Sequence, residues 1–268
     1  MVAAVILVAT LVAQVPAPGP SAASAPALTD AQIEDFLLHA KIGKVRTLGK
    51  GVTLSMRAVL KSDTMTHDAQ IQNIDQKLQQ FDTGKGVEFN FRDSWMYNVA
   101  AYRIDRLIGL NMVPVSVVRR YGNDMAAFTW WIDDVMMEEG ARLKQKREAP
   151  DTERWNEQMQ LVRVFDQLIA NTDRNVGNLL ITSDWRIWPI DHTRAFRLNK
   201  TPKSAANITK CDRDVLEKMK ALDKDTLKKS LHDVLTGDEI DALLARRDAI
   251  VKQLEAAGPA VLFTRAQP

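Results

Sequence analysis

The chain has 268 residues and a single cysteine, Cys211, so no disulfide can close within it and no cysteine-based metal site can be built. Its four histidines are scattered without H-x3-H spacing, which removes the common zinc arrangements. Charge of one sign is lacking too. Lys and Arg number 36 against 34 Asp and Glu, and a net charge of +2 gives no field for tracking a nucleic-acid backbone. The charges are finely mixed, as on solvated helix faces. Met1 to Thr29 carries no charged side chain at all. Within it, Val2 to Ala13 is an apolar run too short to span a bilayer comfortably. Gln14 to Ala27 is rich in Pro, Ala, Ser and Gly. This pattern fits a signal-peptide core followed by a small-residue cleavage region near Ala22-Ala23-Ser24-Ala25, although no Lys or Arg precedes the run. The expectation is that residues 1–27 form a signal peptide or a disordered leader. A cleaved leader means export, periplasmic or secreted; an uncleaved one leaves the chain cytoplasmic.

What is present is an ordinary globular composition, 46% apolar, and one dense polar stretch, Asn171-Thr172-Asp173-Arg174-Asn175-Val176-Gly177-Asn178. Leu179 to Thr182 reads as a short strand, Ser183-Asp184 as a turn, and Trp185 to Ile190 as a second strand ending at Asp191-His192. A hairpin brings its ends together, so Asn178 and Asp191 can face one space with Asp173 beside them. An Asn amide oxygen and an Asp carboxylate are hard ligands suited to Mg²⁺ held against phosphates. An Asp ahead of them can orient an attacking hydroxyl.

The D-x4-N-x12-D arrangement resembles the catalytic loop and metal-binding Asp of the protein-kinase-like superfamily. N-T-D-R-N-V-G-N-L-L followed by W-P-I-D-H-T-R-A-F is most similar to its atypical branches, the phosphatidylinositol 3-/4-kinase-like, HipA-like and secretory-pathway kinase families. The resemblance implies a catalytic Asp173, metal ligands Asn178 and Asp191, and ATP with Mg (or Mn) as cofactors; Arg174, next to Asp173, is a further catalytic candidate that could pair with the loop carboxylates or with phosphate. It implies an α+β, two-lobe kinase-like fold: a small antiparallel sheet lobe with one packed helix, and a larger, mostly helical lobe carrying the catalytic-loop hairpin. The partners implied are a nucleotide and an acceptor that is a protein, a lipid headgroup or a small molecule. No nucleic acid is expected, and the chain is expected to be a monomer.

Taken in order, Ala31 to Ala40 has helical spacing with Asp30 as its cap. Lys41 to Leu48 and Thr53 to Leu60 read as strands joined by Gly49-Lys50-Gly51-Val52, a turn whose backbone can approach a phosphate closely. Thr66 to Ile74 is a third strand, and Asp75 to Gly86 reads as a polar loop or insert. Ser94 to Ile108 is a helix capped by Asp93 or Ser94. Strands follow over Val113 to Arg119 and Ala126 to Ile132, and Asp133-Asp134-Val135 makes a hinge. The N-terminal lobe is thus residues 28–135 and the C-terminal lobe 136–268. Asp151 or Thr152 caps a broadly apolar helix that runs to about Ala170, and the helices after Asp212 read as scaffold.

Kinase-like folds normally pair a Lys on the third strand with a Glu on the following helix, to hold nucleotide phosphates. Here the aligned positions carry Gln72 and Asn98, a neutral amide pair in which each side chain can satisfy the other. Three explanations stay open: Lys50, Lys61, Lys77 or Lys85 reaches the phosphates instead, nucleotide and Mg²⁺ bind without transfer, or the cleft is adapted to another ligand. Two functions follow: a Mg-dependent ATP phosphotransferase, or a pseudokinase-type nucleotide- or ligand-binding module without phosphoryl transfer.

Overall fold

The structure is a computed structural model that describes residues 28–49, 55–82, 84 and 86–265. The leader, together with Lys50, Gly51 and Lys85, lies outside the described residues.

The first helix, α1 (Asp30–His39), starts from a capping box. Thr29 is the cap, with Gln32 returning the bond to the Thr29 backbone. Asp30, the expected cap, is instead the first helical residue and pairs with Arg106. Strands β1 (Lys41–Thr47), β2 (Met56–Lys61) and β3 (Thr66–Gln72) follow. Alternation in β2 and β3 places Ala58, Leu60, Ala69 and Ile71 on one fully buried face.

Asp75 to Gly86, expected as a loop, contains β4 (Asp75–Asp82), which pairs antiparallel with β5 (Val87–Ser94). Asp93 and Ser94 are therefore strand residues, not caps. The next helix, α2 (Met96–Leu107), begins at Trp95 with no side-chain cap bond. Its buried stripe of Val99, Ala100 and Ile104 packs on the sheet completed by β6 (Ser116–Tyr121) and β7 (Asp124–Trp130). Strand order is β1-β2-β3-β7-β6, antiparallel throughout. Gly109 ends α2 in the left-handed region, φ +65°, where a glycine carries no Cβ penalty.

Residues 131–134 lead to β8 (Val135–Glu138), the outer strand of a second, three-stranded sheet. A short helix, α3 (Glu139–Lys144), and the long α4 (Thr152–Leu168) follow, the latter capped by the Asp151 side chain accepting from the Arg154 N–H. Trp155, Leu161, Val162, Val164, Phe165 and Leu168 bury α4 in the large lobe. It delivers the chain to the polar stretch and to the hairpin of β9 (Leu179–Thr182) and β10 (Ile187–Pro189). The remainder is β11 (Cys211–Asp212), α5 (Arg213–Ala221), α6 (Lys224–Leu231), α7 (Gly237–Ala257) and β12 (Leu262–Phe263). Asp212 and Thr236 cap α5 and α7 as their sequences suggest. The two lobes meet through α2: Tyr97 donates to Glu239 of α7, and Arg103 pairs with Asp233.

Candidate active site

A cleft of about 1290 Å³ lies between the lobes. That exceeds the roughly 300–1,000 Å³ of an ordinary small-molecule site, leaving room for two reactants side by side. Gly49, Ser55 and Gln70 wall it from the small sheet, with Trp130 and Trp131 beside them. Val135, Met137, Leu180 and Ile190 form its apolar floor. Asp173, Asn178 and Asp191 all line it.

Local chemistry explains why these three meet. The Asn171 Oδ1 accepts from the Asp173 N–H at 3.1 Å, a turn that aims Asp173 out of the end of α4. Asn175 Oδ1 accepts from the Gly177 N–H at 2.9 Å and opens one helical turn over 176–178. The hairpin ends close through the Ile190 N–H donating to Asn178 O at 3.0 Å. Arg174 locks the arrangement from behind. It pairs with the buried Asp166 at 3.0 Å and donates to the carbonyls of Asn178 (2.9 Å) and Ile190 (2.6 Å). With its donors committed there, Arg174 does not line the cleft; it braces the two residues that do.

Asp191 sits in the left-handed region, φ +55°, costly for a residue with a Cβ and typical of positions held by their surroundings for a task. Burial pushes its carboxyl up from the ordinary range, against the Thr193 hydroxyl, which donates to it at 3.1 Å, and against Arg174. Asp93, at the end of β5, was read in the sequence only as a helix cap. It is 6% exposed and lines the same cleft, and its Oδ1 has no hydrogen-bond partner. Burial pushes its carboxyl up as well, opposed by the Thr193 side chain and reinforced by Asp191 and Asp173. Thr193 thus lies beside both carboxyls, and its single hydroxyl proton is donated to Asp191.

A buried carboxylate oxygen without a partner asks for a proton donor or a cation. The oxygen-only donor set fits a hard divalent cation. Among the described residues no three carboxylate, imidazole or thiolate groups converge on one point. Asp191 and Asn178 are the cleft-lining oxygen donors that could hold such a cation. Arg194 is the one cationic side chain lining the cleft among the described residues; Lys61 and Lys77 lie elsewhere.

Gln72 and Asn98 are buried and hydrogen-bonded to each other, Asn98 Nδ2 donating to Gln72 Oε1 at 2.6 Å. Neither lines the cleft. Asn98 Oδ1 accepts from the His192 N–H at 2.8 Å, so the pair ties β3 and α2 to the peptide after Asp191. His192 itself is buried against Phe165, and burial with nearby Arg174 holds its imidazole neutral, well below the usual range. The Gly turn contributes Gly49 to the cleft, while Lys50 and Gly51 fall outside the described residues. Sequence reasoning missed Asp93, and with it Phe81, Phe91 and Glu88 of the β4–β5 hairpin. The available signal was a carboxylate five residues before Asn98.

No protein-family model matches the chain, and no curated protein matches it in sequence. Solved structures do. The structure of hydra Fam20 with sugar covers 89% of this chain and 93% of its own at TM-score 0.66 and 14% identity. A Golgi casein kinase covers 89% of this chain and 79% of its own at TM-score 0.61 and 13% identity. The Golgi casein kinase with Mn/ADP bound covers 86% and 76% at TM-score 0.60 and 13% identity. The chain has a two-lobe, α+β kinase-like fold similar to that of these structures.

Proposed function

We propose that the chain is a divalent-metal-dependent ATP phosphotransferase acting on a hydroxyl-bearing acceptor. The observation that carries this reading is the convergence of Asp173, Asn178 and Asp191 on one cleft, beside the unpartnered carboxylate of Asp93. Asp173 orients the acceptor hydroxyl and accepts its proton. Asn178 and Asp191 hold Mg or Mn, with Asp93 close by to complete the anionic wall. A divalent cation held there supplies neutralisation of the charge that builds on the transferred phosphoryl group. Gly49 would approach the phosphates through its backbone, and Val135 and Met137, which line the apolar floor, would meet the purine. The bound Mn/ADP of one structural neighbour supports the choice of nucleotide and metal.

The amide pair Gln72–Asn98 favours a second reading, a nucleotide-binding module without transfer, because an amide stands at the strand position where kinase-like folds carry an ammonium, and no Lys lines the cleft among the described residues. The test is purified protein with γ-labelled ATP and Mg²⁺ or Mn²⁺, beside Asp173→Ala and Asp191→Ala. Label transfer lost in both variants supports the enzyme. Metal-dependent thermal stabilisation by ATP without transfer supports the binding module, and neither result leaves a scaffold.

The leader proposal is export. No helix among the described residues is long and apolar enough to cross a membrane. Mass analysis of the mature N-terminus decides whether residues 1–27 are removed.

A further inference from the structure

Resting on the phosphotransferase reading for its role in the reaction, we infer that Glu88 is a positioning residue. From the β4–β5 hairpin of the small lobe it clasps Arg194 and Arg197 of the large lobe, holds the hairpin against that lobe, and keeps Arg194 from pairing tightly with Asp173.

Arg194 Nη2 donates to Glu88 Oε2 at 2.7 Å, and Arg197 Nη2 lies 2.6 Å from Glu88 Oε1. Both guanidinium groups also lie over the Phe91 ring, at 5.1 and 5.6 Å from its centroid. Phe91 in turn stacks on Phe81 at 4.1 Å, and both rings line the cleft. The second amino group of Arg194 reaches Asp173 Oδ2 at 3.3 Å. One guanidinium is therefore shared between a hairpin carboxylate and the candidate catalytic carboxylate, and it sits closer to the hairpin.

Physical reasons make this clasp matter. β4 is exposed along nearly all its length, so the hairpin has little core of its own, and an isolated two-stranded ribbon is marginal in water. The clasp is well shielded: Arg194 and Arg197 are 21% and 12% exposed and Glu88 24%, so the attraction is screened less than on an open surface. Without the Glu88 charge, two neighbouring guanidinium groups repel, and Arg194 shifts toward the cleft acids, Asp173 at 3.3 Å first and Asp93 within its field. An Asp173 carboxylate tightly paired to Arg194 is a poorer acceptor for the incoming hydroxyl's proton. The expected consequence is a loss in kcat with nucleotide binding retained, because the metal ligands Asn178 and Asp191 are untouched.

The experiment uses the full chain as wild type, Glu88→Gln, Glu88→Asp, Arg194→Gln and the double variant Glu88→Gln/Arg194→Gln. Hydrogen exchange over residues 75–94 reads the clasp, and label transfer from ATP reads its effect on Asp173. Glu88→Gln is expected to speed exchange of the hairpin amides by about tenfold or more. It should lower kcat by at least about tenfold while leaving the KM for ATP within about twofold. Glu88→Asp should restore part of both. The double variant should be no slower than Arg194→Gln alone, since Glu88 acts through Arg194. Unchanged exchange in Glu88→Gln overturns the clasp. Faster exchange with unchanged kcat overturns the positioning role. A wild type that transfers no phosphate overturns the phosphotransferase reading and the positioning role together, while exchange still decides the clasp.

Discussion

Asn98 on α2 and Gln72 at the end of β3 are joined by a 2.6 Å hydrogen bond, and the same Asn98 accepts from the His192 N–H beside Asp191. Two neutral amides thus do a mechanical job: they fix the peptide that carries Asp191 against the small lobe. A single charge introduced here meets a neutral amide partner in place of a counter-ion. Gln72→Lys is expected to lose about 3 kcal/mol of stability, the usual cost of an uncompensated buried charge. Gln72→Lys/Asn98→Glu should recover most of it, giving strongly non-additive urea midpoints. Additive losses would contradict the pairing.

Asp93 illustrates a conflict between folding and function. Its carboxyl is buried beside two other acids, and its Oδ1 is unpartnered. Asp93→Asn removes that repulsion, so the metal-free protein should melt higher than wild type by a few degrees, at about 2–4 °C per kcal/mol for a chain of this size. The stabilisation added by Mn²⁺ with ADP should shrink in the same variant. Thermal melts with and without metal and nucleotide check both halves.

Arg246 on α7 is fully buried, and burial lowers its pKa to about 10. It donates to the carbonyls of Leu168 (2.8 Å), Arg197 (2.7 Å) and Asn199 (2.6 Å), pinning the end of α4 and the segment after the β9–β10 hairpin. Arg246→Met removes the donor from one buried and two part-buried carbonyls, the buried one alone worth roughly 1–3 kcal/mol, against relief from burying a charge. A net loss of about 3 kcal/mol in chemical denaturation is expected, whereas a neutral result would contradict the clamp.

The Asp173, Asn178 and Asp191 group was legible in the chain because a short hairpin turns fixed spacing into proximity. Leu179 to Thr182 and the turn at Ser183-Asp184 carry standard strand and turn chemistry. The buried faces of α2 and α4 were legible for a similar reason, since helical periodicity reports burial. The β4–β5 hairpin was not. Gln76, Lys77, Gln79 and Gln80 show no apolar alternation because β4 has almost no buried face. Asp93 was opaque as well: its meaning comes from Thr193 and Asp191, about a hundred positions away, and a strand-end Asp next to a helix looks like a cap. Arg246 hid for the opposite reason, as a charged side chain on a long helix reads as solvated. Arg174, adjacent to Asp173, looked like a site residue, and only its three partners place it behind the loop.

Cys211 supplies a check on pH. Burial raises its thiol from about 9 to about 12. The folded state holds the proton more tightly than the unfolded state, so this contribution is complete below about pH 9 and is lost as pH rises toward 12. Between those values wild-type stability should fall more steeply than that of Cys211→Ala, measured by urea unfolding in a pH series. Native thiol labelling at pH 8 should also wait for unfolding. Prompt labelling of the native protein would contradict the burial.

The most direct test of the central claim is calorimetric titration of ADP into the full chain with and without Mn²⁺, for wild type and Asp191→Ala. The expected result is binding that requires Mn²⁺ in wild type and is lost in Asp191→Ala. Equal binding by both proteins, or binding by wild type without any metal, would contradict the account that Asp191 and Asn178 hold a cation against nucleotide phosphates.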